Sequence, residues 1–244
     1  MKSKIITAWK ILVNYFFYTG RPEGINPIYF FRQVREGFSV QKIRKKYPDL
    51  YKEICGLIAK SGSTGGEWSD YLVLYEEIRT KKPKRILEMG SGISSLIICF
   101  AIEENKKENC DDAKFFSVEE NEHYHNQIVG IFPEKYTKLV RFLLCERKQK
   151  RYRSTLGSYY EDLPQEDFDF IFVDGPTERI KPHDEKSFNA DLVNLIDRDQ
   201  LTKVNGLLDQ RITTYWALKK LLPKLRIRYS VNKKVSFFSF QKSG

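Results

Sequence analysis

Apolar positions recur at helical spacing over the first part of the chain and then change to an alternation of strand and helix patterns. Residues 1–60 show the helical spacing, most clearly in SVQKIRKKYPDLYKEICGLIAK (39–60), and the turn-forming GRPEGINP (20–27) interrupts it. The glycine- and serine-rich SGSTGGEWSD (61–70) then predicts a flexible junction. We therefore expect an N-terminal helical extension over residues 1–60 and one domain over residues 61–244.

Beyond the junction, helical and strand patterns follow one another. Helical patterns cover GEWSDYLVLYEEIRT (66–80), SSLIICFAIEEN (94–105) and NEHYHNQIVGIF (121–132). Short apolar runs predict strands at KRILEM (84–89), AKFFSV (113–118), KLVRFLL (138–144) and FDFIFVD (168–174).

The last of these runs and the end of the chain indicate the type of sheet. FDFIFVD is almost continuously apolar, which is typical of a central parallel strand buried on both faces. LRIRYSV (225–231) and KVSFFSF (234–240) alternate instead, which predicts a closing antiparallel pair. The sequence therefore predicts an α/β fold with a doubly wound, mostly parallel sheet and a terminal antiparallel hairpin.

The charge balance indicates an anionic partner. The 244 residues include 42 Lys and Arg against 32 Asp and Glu, for a formal charge of +10. The basic residues are scattered in small groups, as in KIRKK (42–46), KKPKR (81–85) and RKQKRYR (147–153), which is typical of solvated surface faces. We therefore expect an anionic small-molecule or saccharide partner, and we do not expect a specific site for nucleic acid.

The first twenty residues, MKSKIITAWKILVNYFFYTG, combine a basic start with an aromatic-rich apolar stretch. Lys10 and Asn14 interrupt the stretch before it reaches the length of about 20 residues that crosses a membrane. Six apolar residues recur at helical spacing and predict an amphipathic helix: Ile5, Ile6, Trp9, Leu12, Val13 and Phe16. We expect this helix to pack on the domain or on a second subunit of a homo-oligomer. The alternative is peripheral contact with a membrane surface.

Cysteine usage indicates a reducing compartment. Cys55, Cys99, Cys110 and Cys145 show no C-x-x-C spacing, so they predict neither a zinc site nor a disulfide framework. The N-terminal apolar stretch lacks a convincing small-residue cleavage site. We therefore expect a cytoplasmic protein, with a location peripheral to the inner face of the membrane as the alternative.

The candidate chemistry centres on RILEMGSGISSLIICF (85–100), where a predicted strand ends in the turn that contains Gly90 and Gly92. In doubly wound sheets, ligands bind beyond the carboxyl ends of the strands, where such turns let the backbone approach them. Three acids, Glu88, Glu119 and Asp174, stand at the carboxyl ends of three predicted strands. Their joint placement favours a ligand that carries a positive charge and a ribose.

Each acid has a second interpretation. Glu88 can form a surface ion pair with Lys84 or Arg85, Glu119 can stabilise the N-terminus of the following helix, and Asp174 can cap a turn. A dinucleotide such as NAD fits the pocket less well, because the third glycine of G-x-G-x-x-G is missing and an acid beside the turn repels phosphates.

Four segments resemble class I S-adenosylmethionine (SAM)-dependent methyltransferases, and within that superfamily bacterial small-molecule O-methyltransferase-like proteins. They are LEMGSGISS (87–95), FFSVEEN (115–121), FDFIFVDGP (168–176) and the final LRIRYSVNKKVSFFSF (225–240). The resemblance covers roughly residues 65–240. It implies a Rossmann-like sheet of seven strands whose last strand is antiparallel, and SAM as the cofactor.

The resemblance also implies a set of cofactor-binding residues. Glu88, Gly90 and Gly92 meet the methionine part of the cofactor, and Glu119 its ribose. With their neighbours, the expected cofactor site comprises Glu88, Met89, Gly90, Ser91, Gly92, Ser94, Ser95, Glu119 and Asp174.

Methyl transfer to an oxygen of a small molecule or saccharide needs alignment and, for a weakly acidic hydroxyl, a base. Asp174 and His183 of TERIKPHDEK (177–186) are the predicted catalytic residues, and Tyr159, Asp209 and Arg211 the predicted acceptor contacts. A divalent metal held by the two aspartates is an alternative that we do not favour, because relatives with a metal carry a fuller set of ligands. An RNA methyltransferase and a non-catalytic nucleoside-binding scaffold are the alternative functions.

Overall fold

The computed structural model describes residues 27–61, 66–110, 113–180 and 185–242. Its helices are α1 (Pro27–Lys46), α2 (Pro48–Ser61), α3 (Trp68–Lys81), α4 (Ile93–Lys106), α5 (Glu122–Ile131), α6 (Asp191–Asp197) and α7 (Ile212–Leu221). Its strands are β1 (Arg85–Met89), β2 (Lys114–Glu119), β3 (Val140–Leu144), β4 (Arg147–Tyr152), β5 (Thr155–Tyr160), β6 (Phe170–Val173), β7 (Arg179–Ile180), β8 (Glu185–Lys186), β9 (Phe188–Asn189), β10 (Lys203–Asp209), β11 (Arg226–Ser230) and β12 (Val235–Gln241).

The main sheet has seven strands in the order β11-β12-β10-β6-β1-β2-β3. Strands β3, β2, β1, β6 and β10 pair in parallel, whereas β12 runs antiparallel to both β10 and β11. The predicted mostly parallel sheet with an antiparallel last strand is therefore confirmed. The carboxyl ends of β2, β1, β6 and β10 lie along one edge of this sheet, which is where doubly wound folds bind ligands.

The alternation of side chains along β1 divides the core between the two faces of the sheet. Ile86 packs in the cluster that contains apolar residues of α3 and α4, whereas Leu87 and Met89 pack in the cluster that contains residues of α6 and α7. Glu88 lies on the face of Ile86, beneath the start of α4. All four residues of β6 are buried, in agreement with the apolar run FDFIFVD.

The helices α1 and α2 belong to the same core cluster as α3 and α4, through the buried Ile43, Leu50, Ile54 and Leu57. The helical pattern over residues 39–60 is divided between them, because Pro48 lacks the amide hydrogen that would continue α1 and suits the first turn of α2. The amphipathic helix expected over residues 1–20 and residues 62–65 of the junction lie outside the described residues. In the ranges that the structure describes, no helix is long and apolar enough to span a membrane.

A second sheet has three strands in the order β4-β5-β9. β4 and β5 lie in the connection between β3 and β6, and β9 comes after β6 in the chain. β4 contains most of the basic group RKQKRYR (147–153), for which the sequence predicted only a solvated face. β4 is paired with β5, and Gly157, Ser158 and Tyr160 of β5 are buried. In the β4–β5 hairpin, therefore, β5 supplies the contact with the core, and β4 is held by its pairing with β5.

Candidate functional site

The turn after β1 contains two glycines in different surroundings. Gly90 packs against the backbone that follows β6, whereas Gly92 faces open space. Gly90 has a φ of +96°, and a Cβ there would lie 2.8 Å from Gly175 N and 2.9 Å from the carbonyl carbon of Asp174. Glycine is required where two backbone segments approach so closely in this conformation. At Gly92, by contrast, the nearest described atom to a Cβ would be the Ser94 hydroxyl oxygen, at 3.9 Å. The open space at the start of α4 therefore lies at Gly92.

Serine hydroxyls tie this turn to Glu88. Ser95 Oγ and Ser117 Oγ donate to Glu88 Oε2 at 2.5 and 2.6 Å. The Ser95 hydroxyl also accepts from Gly92 N at 3.2 Å, and Ser91 Oγ lies 2.7 Å from Ser117 Oγ. Because a hydroxyl has one proton, donation by Ser117 to Glu88 makes Ser91 the donor to Ser117. Ser91 and Ser95 thus hold the turn and the carboxylate in one network.

Glu88 is fully buried, and only one of its carboxylate oxygens is satisfied. Among the described residues, Oε1 has no hydrogen-bond partner. Burial raises the pKa of Glu88 to about 7, although the hydrogen bonds from Ser117 and from neighbouring serines lower it. A buried acceptor without a partner costs about 1–3 kcal/mol, which a hydrogen-bond donor on a bound ligand would offset. The burial excludes a surface ion pair, and it places Glu88 beneath the turn rather than in a pocket mouth.

Glu119 ends β2, and three backbone amides hold its carboxylate. Oε2 accepts from Ser91 N at 3.3 Å, and Oε1 accepts from Glu120 N at 3.1 Å and from Asn121 N at 2.9 Å. Burial and the charge of Glu120 raise the pKa of Glu119 to about 7, against the effect of these amides. A carboxylate oxygen has about two acceptor positions, so Oε2 retains one. The helix α5 is capped by Asn121, whose side chain accepts from His123 N at 2.9 Å.

Asp174 follows β6, and Asp209 ends β10; both lie near Arg211. Arg211 Nη2 is 3.6 Å from Asp174 Oδ1, and Arg211 Nη1 donates to Pro176 O at 2.6 Å. Loss of hydration in the cleft and the adjacent Asp209 raise the pKa of Asp174 to about 8, although Arg211 lowers it. The Asp174 side chain is 45% exposed and that of Arg211 12%. An accessible acid is thus fixed beside a largely buried guanidinium.

Asp70, in the first turn of α3, lies near the same carboxyl groups and was not predicted. It is buried, and Gln210 Nε2 donates to its Oδ2 at 3.4 Å. Burial and the charge of Asp209 raise the pKa of Asp70 to about 9, and burial raises that of Asp209. Within the described part of the chain, Asp209 Oδ1 is buried without a hydrogen-bond partner. In the sequence Asp70 reads as an ordinary first-turn acid, and nothing local links it to Gln210, which lies 140 residues later.

Asp70→Asn is expected to stabilise the ligand-free protein near neutral pH and to reduce the dependence of its stability on pH. The folded chain keeps the Asp70 proton until about pH 9, whereas the unfolded chain loses it near pH 3.8. Between these values the unfolding free energy falls as pH rises, by at most about 1.4 kcal/mol per pH unit, and asparagine removes this contribution. Thermal melts from about pH 5 to about pH 8 measure the slope.

The exposed Asp199 provides the control for this measurement. Asp199→Asn removes a carboxylate of the same type and should leave the slope of the wild-type protein unchanged. If the unfolding free energy of Asp70→Asn depends on pH with the same slope as that of the wild type, Asp70 does not hold a proton in the folded chain near neutral pH.

Other predicted site residues lie in different surroundings. Met89 is fully buried in the core cluster with α6 and α7, and Ser94 is buried as well. Tyr159 belongs to the second sheet and packs, partly buried, on the same cluster. His183 lies outside the described residues. The roles of Tyr159 and His183 stay predictions.

Several carboxyl groups and the Arg211 guanidinium lie at this edge of the sheet. In the described ranges, no three His, Cys, Asp or Glu side chains are grouped so that they could hold a metal. The Arg211 guanidinium lies beside Asp174, where it already supplies a positive charge. The same edge suits a nucleoside with a cationic group, because Glu119 Oε2 retains an acceptor position and the buried Glu88 lies beneath the turn at Gly92.

Comparison with known proteins finds similarity in solved structures. No protein-family model matches the chain, and no curated protein matches it significantly. An S-adenosylhomocysteine (SAH)-bound methyltransferase from Podospora anserina is 15% identical, with 86% of this chain and 88% of that chain covered and a TM-score of 0.47. A methyltransferase from Geobacter sulfurreducens is 9% identical, with 94% and 97% covered and a TM-score of 0.44. The O-methyltransferase TomG from Streptomyces achromogenes, in complex with SAM, is 13% identical, with 95% and 96% covered and a TM-score of 0.44. At such values the likeness concerns the fold alone.

Proposed function

We propose that this chain is a SAM-dependent methyltransferase that acts on an oxygen atom of a small molecule or saccharide. The observation that carries the proposal is the buried carboxylate of Glu88, which retains an unpaired oxygen beneath the turn that opens at Gly92. Buried acids are stable when they are paired, so a cationic ligand is favoured here over a phosphate. Glu119, on the adjacent strand, provides a second acceptor at the same edge of the sheet.

The residues at this edge match the polar parts of the methyl donor. The free position on Glu119 Oε2 suits a ribose hydroxyl, as an acid does at this place in dinucleotide-binding sheets. The first turn of α4 favours a carboxylate near its amides, and Glu88, below that turn, favours an ammonium group. Gly92 leaves room for the ligand between them. When bound, SAM supplies a methyl group that its sulfonium activates for in-line displacement.

Asp174 is the proposed base for the acceptor hydroxyl. Its carboxylate is accessible, and Arg211 fixes the loop in which it stands through the bond to Pro176 O. Asp174 accepts the hydroxyl proton while the acceptor oxygen takes the methyl group and the bond between that carbon and sulfur breaks. Because the pKa of Asp174 is about 8 in the ligand-free protein, the positive charge of the donor favours its ionised, active form. Arg211 also suits an anionic acceptor.

Asp174→Asn is expected to lower kcat/KM by about 10²–10⁴-fold, since an amide cannot accept the proton. With SAM saturating, wild-type kcat/KM for the acceptor should rise by at most about tenfold per pH unit and level off below about pH 8, because the ionised acid is the base and the bound donor lowers its pKa from about 8. The variant should lose this profile and keep its affinity for SAH, which lacks the sulfonium charge that ionised Asp174 favours. Transfer of a labelled methyl group to a panel of hydroxylated small molecules and saccharides measures the rate, and calorimetry measures the affinity.

Asp199→Asn serves again as the matched control, because Asp199 is an exposed carboxylate. Turnover by Asp174→Asn at the wild-type rate would remove Asp174 as the base. Transfer of the label to RNA alone would contradict the proposed acceptor class. Binding of SAM without transfer to any acceptor would instead support the scaffold interpretation.

A further inference from the structure

An open groove runs along the face of the sheet on which α3 packs, beyond the edge of that helix. The antiparallel register places Asn205, Ser239 and Arg226 in one row across β10, β12 and β11, and Phe237 and Arg228 in the next row. These rows line a cavity of about 550 Å³, to which the last turn of α3 adds Lys81. A second cavity of about 450 Å³ shares the Asn205 row. The two form one groove along the strands.

The groove collects positive charge from separate parts of the chain. Six exposed basic side chains line it: Lys81, Lys203, Lys224, Arg226, Arg228 and Lys233. Within the described residues, none of the six forms an ion pair. Basic residues of the β4 strand differ, because Lys148 pairs with Glu146 and Arg151 with Glu185. The groove is therefore a concentration of uncompensated charge that the scattered basic groups of the sequence did not reveal.

An aromatic ring positions two of these basic side chains, and polar side chains lie on the floor of the groove. The Phe237 ring holds Lys233 Nζ at 5.1 Å and the Arg228 guanidinium at 6.0 Å from its centre. Asn205 and Ser239, half-buried on the floor, provide an amide and a hydroxyl for hydrogen bonds. Glu77 is the acid among the residues that line the larger cavity.

We propose that this groove binds single-stranded nucleic acid through its phosphates. A chain of phosphates is complementary to six cations that form no ion pair among the described residues and that line one groove, on strands β10 and β11, their flanking loops and the end of α3. Amide and hydroxyl groups commonly add contacts to phosphate oxygens. A flat bilayer surface reaches a groove floor less well than a single strand does. Charge disfavours residues 1–26 and a second copy of the chain as occupants of the groove, because each carries a net positive charge and the groove is itself positive. The proposal concerns a surface apart from the cleft at Glu88, and it does not depend on the methyl acceptor.

The test uses a labelled single-stranded RNA of about 12 nucleotides, with anisotropy measured at increasing salt. If all six cations contact phosphates, log K against log salt has a slope of about −4, since each contact contributes about −0.7. The double variant Arg226→Glu/Arg228→Glu should bind at least about tenfold more weakly and lose about 1.4 from the slope. Glu77→Gln should bind more tightly, because it removes the acid from the groove.

The control is Lys148→Glu/Lys150→Glu on β4, which changes the net charge by the same amount on another surface. It should lose much less affinity than the groove variant. Equal losses would show that net charge alone drives binding and would overturn the proposal, as would recovery of the protein on vesicles of anionic phospholipid but not on RNA. DNA of the same sequence distinguishes the two kinds of strand.

Folding and donor binding are followed on the same variants. Arg226→Gln/Arg228→Gln provides a milder replacement, and its affinity for RNA should also fall if the cations contact phosphates. SAM affinity should stay at the wild-type value in every groove variant, so a failure here leaves the proposed methyltransferase function untouched.

Discussion

Gly90→Ala is expected to destabilise the protein by about 3 kcal/mol or more and to abolish SAM binding. The added Cβ would lie 2.8 Å from Gly175 N, and neither backbone segment can move without breaking the bonds from Gly90 N to Val118 O and from Asp174 N to Met89 O. Overpacking costs about 1–3 kcal/mol, and the φ of +96° adds strain for any side chain. Urea unfolding measures the loss of stability, and calorimetry measures SAM binding.

Gly92→Ala is the matched control, two residues further along the same turn. Its added Cβ would meet the Ser94 hydroxyl at an ordinary distance of 3.9 Å. The backbone there is extended, so we expect unfolding within about 1 kcal/mol of the wild type. The methyl group nevertheless enters the space assigned to the donor, and SAM affinity should fall. Wild-type SAM affinity in a folded Gly92→Ala would contradict the placement of the donor at this opening.

Glu88→Gln is expected to lower the affinity for SAM and SAH by about 10- to 100-fold at pH 8, because hydrogen bonds to charged groups contribute about 1.5–3 kcal/mol. The pKa of Glu88 is about 7, so its carboxylate is neutral at lower pH. Wild-type affinity should therefore fall as the pH is lowered through 7, since the negative charge beneath the turn that favours the amino group of either ligand is then lost. The variant should show a weaker dependence on pH. Calorimetric titrations at about pH 6 and about pH 8 measure both effects.

Glu122→Gln, in the exposed first turn of α5, provides the control, since it removes one carboxylate near the same edge of the sheet. Its affinity and pH dependence should match those of the wild type. Retention of the full affinity and pH profile in Glu88→Gln would show that Glu88 only ties the turn together.

Six of the seven strands of the main sheet were predictable from the sequence because each has a local signature, whereas β10 was not among the predicted runs. The apolar run FDFIFVD indicates a strand whose side chains are buried on both faces of the sheet. The alternation of apolar and polar residues in the last two strands indicates a hairpin with one face partly exposed. The strand β4 gave no such signal, because its basic residues lack an apolar face and its place depends on pairing with β5. Tertiary pairing therefore decided the two smaller sheets, β4-β5-β9 and β7-β8, which the local pattern did not predict.

The positions of Glu88, Glu119 and Asp174 followed from the strand ends, but their environments did not. The sequence attributes both glycines of the turn to a ligand, whereas Gly90 packs against Gly175, a contact across two strands. The burial of Glu88 depends on hydroxyls from two other elements. No local pattern encodes such partners, because they are brought together only by the folded sheet.

Calorimetric titration of the full chain with SAH at pH 8 tests the central claim, that acids at the edge of the sheet hold a charged nucleoside, most directly. SAH presents the ribose and the amino group without a transferable methyl, so the measurement needs no acceptor. We predict one binding site with a Kd below about 1 mM. Absence of binding heat at millimolar SAH, with the protein shown to be folded in the same cell, would contradict the account.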